Sequence, residues 1–168
     1  VYSSAILITV QQSVGGSIAG SATVCAGTNS TVLTLSGQTG SITKWQSSLT
    51  SNFASATDIA NTTTSLTATN LSATTYYRAV ITQGSCTAAN SATATISVTA
   101  LPTVTITPSS ASITTGSSVN LTASGATTYS WSPSTGLSAT NTAAVTATPT
   151  ATTTYTVTGT SSSCSSTS

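Results

Sequence analysis

Charged side chains are almost absent from this sequence. Of its 168 residues only Lys44, Asp58 and Arg78 carry a formal charge, and there is no histidine or glutamate. General acid–base catalysis needs a group that titrates near the working pH, and one carboxylate cannot serve as both acid and base. Zinc and calcium sites need several carboxylates, histidines or closely spaced cysteines, which are also missing. The composition therefore predicts a protein that is not an enzyme and holds no metal or cofactor.

The scarcity of charge also limits the partners. A formal net charge of +1 offers no basic surface for phosphates, which argues against nucleic-acid binding. A membrane-spanning helix needs about 18 consecutive apolar residues, whereas the longest apolar cluster is Ala-Ile-Leu-Ile at residues 5–8. We therefore predict no transmembrane segment. Because no signal peptide opens the chain, we expect a mature product or an interior segment of a longer protein.

What the sequence does contain is valine, isoleucine and leucine alternating with threonine and serine. Disordered segments are usually charged and poor in β-branched apolar residues. Alternation of apolar and polar residues is typical of half-buried strands. The pattern predicts ordered, all-β structure.

One stretch occurs twice. Residues 74–82 run Thr-Thr-Tyr-Tyr-Arg-Ala-Val-Ile-Thr and residues 153–158 run Thr-Thr-Tyr-Thr-Val-Thr. In both copies a tyrosine, Tyr77 or Tyr155, stands nine positions before a cysteine, Cys86 or Cys164. Tyrosine, valine, isoleucine and threonine favour a pleated, partly buried surface. The repetition predicts one domain type used twice.

The first complete domain is predicted over residues 13–100 and the second over residues 101–168. Seven short strands at regular spacing in the first indicate an immunoglobulin-like β-sandwich. Pro102 marks the joint, since proline cannot continue a strand ladder. We therefore predict an all-β fold of tandem Ig-like β-sandwich domains in a rod-like repeat array.

The two ends of the chain suggest partial repeats. Residues 1–12 are interpreted as the last strand of a preceding repeat, because the apolar alternation at residues 6, 8 and 10 matches that at residues 94, 96 and 98. At the other end only residues 165–168 follow Cys164. The second domain is therefore expected to lack its final strand.

Four aromatic residues are predicted core anchors: Trp45, Trp131, Tyr77 and Tyr155. A tryptophan in the corresponding strand of a β-sandwich is usually buried against the other sheet. The alternative is a sugar-stacking platform formed by Trp45 or Trp131, which would require an exposed indole.

The cysteines suggest one disulfide. Cys25 lies just before the second strand and Cys86 just after the tyrosine strand, and we expect them to meet at one end of the sandwich. The alternative is two buried thiols. Aligning Gly27 with Gly116 places Thr114 opposite Cys25, so Cys164 is left unpaired or bonded to another segment. A disulfide indicates an oxidising compartment.

Lys44 and Asp58 suggest a second covalent possibility. A lysine, an acidic residue and an asparagine form the intramolecular isopeptide bond of some surface adhesins. We prefer a solvated lysine beside Trp45.

Several blocks of the sequence resemble the Ig-like or PKD-like repeats of giant surface adhesins from Bacteroidota. They are residues 24–27, 74–80, 129–137 and 151–157, and the resemblance covers nearly the whole chain. It implies an extracellular protein exported by type IX secretion, attached to the outer membrane and, in some members, serving gliding motility. Thr114 departs from the family, which often has a cysteine there.

The predicted function is a structural spacer in a long filamentous adhesin. Its expected partners are neighbouring repeats of the same polypeptide, with surface glycans or other cells as further candidates. One alternative is a polymerising subunit whose residues 1–12 complete the second domain of a neighbour. A carbohydrate-binding module is another.

Overall fold

The computed structural model describes residues 9–168. Residues 1–8, which belong to the strand predicted over residues 1–12, lie outside the described part. The described residues form fifteen strands and no helix, so the all-β prediction is confirmed. They divide into two compact units, the first ending at Val98 and the second running from Thr99 to Ser168.

The first unit contains two sheets. One has the strand order β1-β3-β6, and the other β2-β9-β7-β4-β5 with β8 also paired to β7. The strands are β1 (Ser17–Ala19), β2 (Ala22–Cys25), β3 (Ser30–Ser36), β4 (Ser41–Ser48), β5 (Thr57–Ile59), β6 (Ser65–Thr69), β7 (Thr75–Thr82), β8 (Ala89–Asn90) and β9 (Ala94–Thr99).

The two sheets of the first unit pack face to face over one apolar core. In β7 burial alternates along the whole strand, because every second side chain of a strand points to the same face. Leu33 from one sheet and Trp45 from the other are fully buried in the same cluster. A three-stranded sheet facing a larger one, in this strand order, is the immunoglobulin-like β-sandwich.

The second unit is a smaller sandwich of two three-stranded sheets. Their orders are β10-β11-β13 and β12-β14-β15. The strands are β10 (Thr105–Thr107), β11 (Val119–Ser124), β12 (Thr128–Ser132), β13 (Ala144–Ala147), β14 (Thr156–Ser161) and β15 (Cys164–Thr167). Both sheets contribute to its core, which contains Leu121, Ala123, Trp131, Val145, Ala147 and Val157.

The two tryptophans have the same register in their units. Trp45 lies opposite Ala79 of β7, and Trp131 lies opposite Val157 of β14. Residues of β7 therefore correspond to residues of β14 by this register, and Tyr77 corresponds to Tyr155.

The second unit ends in a strand that was not predicted from the sequence. Ser162 and Ser163 both have positive φ, 49° and 65°, as in a two-residue hairpin turn. The chain then returns as β15, antiparallel to β14. By register β15 takes the place of β8. No described residue of the second unit takes the place of β9.

Candidate functional site

Both tryptophans are held in the same way. Trp45 is fully buried and Trp131 is 3% exposed. The indole Nε1–H of Trp45 donates to the Thr63 carbonyl at 3.0 Å, and that of Trp131 donates to the Thr142 carbonyl at 2.8 Å. Buried indole groups normally find such a partner. Neither ring is therefore available as a sugar-stacking platform.

The two tyrosines differ in burial. Tyr77 is buried in the first core, and this burial raises the pKa of its phenol. Tyr155 is half-buried, and its hydroxyl donates to the Thr135 carbonyl at 2.7 Å. The predicted anchor of the second unit thus packs against its core from the edge.

The cysteine pairing differs from the prediction. Cys25 and Cys164 are disulfide-bonded, and Cys164 is buried in the second unit. Cys86 carries a free thiol, whose Sγ lies 3.4 Å from the Gln11 carbonyl oxygen. The predicted Cys25–Cys86 disulfide is therefore not formed.

The direction of β7 explains why Cys25 and Cys86 do not meet. The Asn29 side chain donates to the Cys25 and Leu71 carbonyls, both at 2.8 Å, which places Cys25 where the chain approaches the start of β7. Cys86 follows the other end of that strand. Eight residues of β7 span about 23 Å, whereas a disulfide needs Cα atoms within about 7 Å.

All three charged residues gather on the outer face of the larger sheet of the first unit. Lys44 Nζ lies 2.7 Å from Asp58 Oδ2, and Gln46 Nε2 donates to Asp58 Oδ1 at 2.7 Å. Arg78 Nε donates to Gln46 Oε1 at 2.7 Å, and its guanidinium carbon lies 4.2 Å from the centre of the Phe53 ring. We call these five residues the charged cluster.

The charged cluster is an exposed ion-pair network. The hydrogen bond from Lys44, and after it the one from Gln46, hold the pKa of Asp58 below its ordinary value. The Lys44 and Asp58 side chains are 37% and 56% exposed, and the amide partner of Asp58 is Gln46 rather than an asparagine. Lys44 and Asp58 therefore form a salt bridge and not the isopeptide bond that was considered as an alternative. The sequence indicated Lys44 and Asp58 but gave no signal for Gln46 or Phe53.

The outer faces of the second unit carry hydroxyl groups instead of charges. Thr158 and Thr167 join across β14 and β15 at 3.1 Å, and Thr160 and Ser165 at 2.8 Å. Cross-strand hydroxyl pairs of this kind stabilise a sheet modestly. These faces are polar and uncharged.

The second unit also has an open groove of about 640 Å³. One wall is formed by residues 108–113 and 115, and the other by residues 149–155. Ile106, Val119 and Leu121 form part of its apolar lining. No charged side chain lines it, so the groove suits an uncharged, partly apolar occupant.

Potential metal ligands are scarce in residues 9–168. Within this range no three histidine, cysteine, aspartate or glutamate residues come close enough to hold a metal ion. The same residues include no helix long and apolar enough to cross a membrane.

The fold defines the class as an immunoglobulin-like β-sandwich protein. A family model described as Domain of unknown function (DUF8696) matches residues 14–100, more than half of the chain, and the chain belongs to this family.

Two solved structures align with most of this chain. Fibronectin(III)-like modules of Clostridium thermocellum CbhA align at 10% identity over 89% of this chain and 88% of theirs, with a TM-score of 0.36. Murine CEACAM1b aligns at 10% identity over 89% of this chain and 95% of its own, with a TM-score of 0.32. These values are too low for either likeness to bear on function. No curated protein matches the chain.

Proposed function

We propose that this chain is a structural segment of a long extracellular adhesin filament, in which Ig-like units act as spacers that carry a distal binding region away from the cell. The observation that carries the proposal is the use of one core plan in two successive units. In each, a buried tryptophan donates its indole N–H to a backbone carbonyl. In each, the tryptophan lies opposite a residue of the strand that carries the repeated tyrosine or begins directly after it.

The disulfide-bonded cysteines support an extracellular location. Stable disulfides form in oxidising compartments such as the cell exterior and the periplasm, and both Cys25 and Cys164 are bonded. The sequence resemblance to Bacteroidota adhesin repeats extends the proposal to type IX secretion, outer-membrane attachment and, in the narrowest form, gliding motility. Neighbouring repeats are the first partners, and surface glycans or other cells are the distal ones.

The role proposed is mechanical rather than enzymatic. Backbone ladders between antiparallel strands and buried indoles resist extension of each unit. The uncharged hydroxyl faces make this resistance nearly independent of salt, because there are few charges to screen.

The test is the intact mass of the polypeptide that carries this sequence, taken from its native cell surface and measured after denaturation and reduction. A mass many times the 16.4 kDa of these 168 residues would support a repeat array. A mass close to 16.4 kDa would overturn the long single-chain filament. Digestion with peptide mapping provides the control, since peptides of this segment must be found in the same band.

A further inference from the structure

The first unit also has a groove, of about 390 Å³. Small-molecule sites in proteins usually measure about 300–1,000 Å³, so the groove is large enough for one small ligand. All of its lining residues carry a hydroxyl group except Leu49 and Leu71. None of these lining residues is charged, and the groove therefore suits a neutral, hydroxyl-rich molecule.

The groove lies where the inner face of the larger sheet extends past the smaller sheet. Ser47 of β4 lies opposite Tyr77 of β7 and Thr57 of β5. Ser47 shares the inward face of Trp45, because alternate residues of a strand point the same way. No described residue of β1, β3 or β6 lines the groove, so the smaller sheet leaves this part of the inner face open.

The Tyr77 hydroxyl is the feature that points to a ligand. Tyr77 is only 5% exposed, yet its hydroxyl has no hydrogen-bond partner among residues 9–168. Every fully inaccessible nitrogen or oxygen atom in the buried and half-buried side chains of that range is paired. The hydroxyl is therefore the part of Tyr77 that remains accessible, at the groove that this residue lines. A buried tyrosine normally pairs its hydroxyl, as the corresponding Tyr155 does with the Thr135 carbonyl at 2.7 Å. A ligand in the groove would supply the missing partner.

The loop at the edge of the groove is held in place by its own hydrogen bonds. The Thr50 N–H donates to Ser48 Oγ at 3.1 Å. Asn52 Oδ1 accepts from the Thr50 hydroxyl at 2.9 Å and from the Ala54 N–H at 3.0 Å. Leu49 in the same loop is 69% exposed and presents an apolar surface beside the hydroxyl groups. A wall that is already ordered loses little conformational entropy when a ligand binds.

We propose that this groove binds one sugar ring of a neutral carbohydrate, with the Tyr77 hydroxyl hydrogen-bonded to the sugar and Leu49 against its apolar face. A sugar ring combines hydroxyl groups with an apolar C–H face, which matches a wall of hydroxyls beside an exposed leucine. Burial raises the pKa of the Tyr77 phenol, so the hydroxyl is protonated at neutral pH and can donate. The site uses neither tryptophan, and it goes beyond the spacer role because it gives this segment a ligand of its own.

The test titrates the isotope-labelled full chain with the methyl glycosides of glucose, galactose, mannose and N-acetylglucosamine, and follows the backbone amide signals by NMR. At least one glycoside should shift the signals of Thr57, Thr75 and Tyr77 saturably. The dissociation constant should be about 1–10 mM, as expected for so small a ligand. Glycerol has hydroxyl groups but no apolar ring face, and at equal concentration it should leave these signals in place.

Tyr77→Phe removes only the hydroxyl. Because that group has no partner among residues 9–168, the variant should keep the wild-type urea midpoint. It should weaken binding of the responding glycoside about 2- to 10-fold, the worth of one hydrogen bond. Tyr76→Phe is the matched control, since it makes the same change on the opposite face of β7, and it should bind as the wild type does. Leu49→Ala should also weaken binding, because apolar contact with the sugar is lost.

The absence of a saturable shift with every glycoside, or equal shifts with glycerol, would overturn a carbohydrate site. Unchanged affinity in Tyr77→Phe, or an equal loss in Tyr76→Phe, would overturn the role of the Tyr77 hydroxyl. If Tyr77→Phe lowers the urea midpoint, Leu49→Ala becomes the deciding variant. The repeat array would be unaffected by any of these results, because it depends on the mass of the native polypeptide.

Discussion

The two units share a set of six corresponding core residues, and they differ in the buried residues around that set. Six buried residues of the second unit have counterparts in the first by strand register and by the burial pattern of β3 and β11. The pairs are Leu121 with Leu33, Ala123 with Leu35, Trp131 with Trp45, Val145 with Leu66, Ala147 with Ala68, and Val157 with Ala79. The first unit adds Ile42, Tyr77, Ile81, Ala94 and Ile96 to its buried core. Both sandwiches thus share a small central core, and the size of the whole core depends on how many further strands contribute side chains to it.

At one pair of corresponding positions, the large side chain that fills the core comes from a different strand in each unit. The counterpart of the fully buried Ile81 is Gly159, and a Cβ at Gly159 would lie 2.4 Å from Val104 Cγ2 and 2.7 Å from Ala126 Cβ. The position of Val104 is in turn held by Gly16 in the first unit. In the second unit the side chain of Val104, just before β10, therefore occupies the space that the side chain of Ile81 of β7 occupies in the first unit.

The largest expected effect comes from removing the shared tryptophan. Trp45→Ala and Trp131→Ala should each lower the free energy of unfolding of their own unit by about 3–5 kcal/mol, because each leaves a large cavity. Chemical unfolding followed by circular dichroism reports the whole chain. Fluorescence of the remaining tryptophan reports the other unit.

Trp45→Phe and Trp131→Phe are the matched controls, since they keep an aromatic ring and lose only the N–H donor. A loss of stability for Trp131→Ala that is no greater than for Trp131→Phe would show that this indole does not fill the second core.

Substitutions at Ile81 and Gly159 test whether side chains from different strands fill the same space in the two units. Ile81→Ala should destabilise the first unit by about 2–5 kcal/mol through a cavity. Gly159→Ala should destabilise the second by about 1–3 kcal/mol through overpacking. Adding Val104→Ala to Gly159→Ala should recover part of that loss. Strict additivity of the two changes in thermal unfolding would contradict the packing of Val104 over Gly159.

A smaller difference between the units lies at Asn29. Its side chain donates to the Cys25 and Leu71 carbonyls and accepts from the Leu71 N–H at 3.0 Å. Its counterpart by glycine alignment is the exposed Ser118. Asn29→Ala should cost about 1–3 kcal/mol because partly buried backbone groups lose their partner. Ser118→Ala should leave the urea midpoint unchanged, and equal effects would contradict the comparison.

The smallest expected effect concerns the charged cluster, which only the first unit has. Since Lys44 and Gln46 lower the pKa of Asp58 in the folded state, its contribution is present at neutral pH. It is lost as the pH falls from the ordinary value of 3.8 through the folded value. Asp58→Asn should flatten the acid limb of a plot of urea midpoint against pH. An unchanged acid limb in this variant would mean that the network does not stabilise the fold.

The strands and their buried faces could be predicted from the sequence, because they depend on the local alternation of apolar and polar residues. Alternation in residues 75–82 gives the inward face of β7, and the fold class follows from many such strands. Tryptophan in β4 and β12 is buried because a large apolar ring in the middle of a half-buried strand has only the core to face.

Features that depend on direction and distance could not be predicted in this way. Whether Cys25 and Cys86 lie at one end of the sandwich depends on the direction in which β7 runs between them, which spacing alone does not reveal. The hairpin before β15 uses Ser162 and Ser163 with positive φ, where a glycine or asparagine would have been the usual signal. Arg78 meets Phe53 only through tertiary structure.

The confinement of all three charges to one cluster also affects how fast this chain can meet a partner. Long-range attraction between unlike charges raises association rates far above the uncharged level of about 10⁵–10⁶ M⁻¹s⁻¹. A chain with a formal net charge of +1, whose Lys44 and Asp58 are already paired, has little field with which to orient an approaching molecule. Encounters are then governed by diffusion, and in the proposed adhesin filament the number of units held close together on one surface would set the rate of attachment.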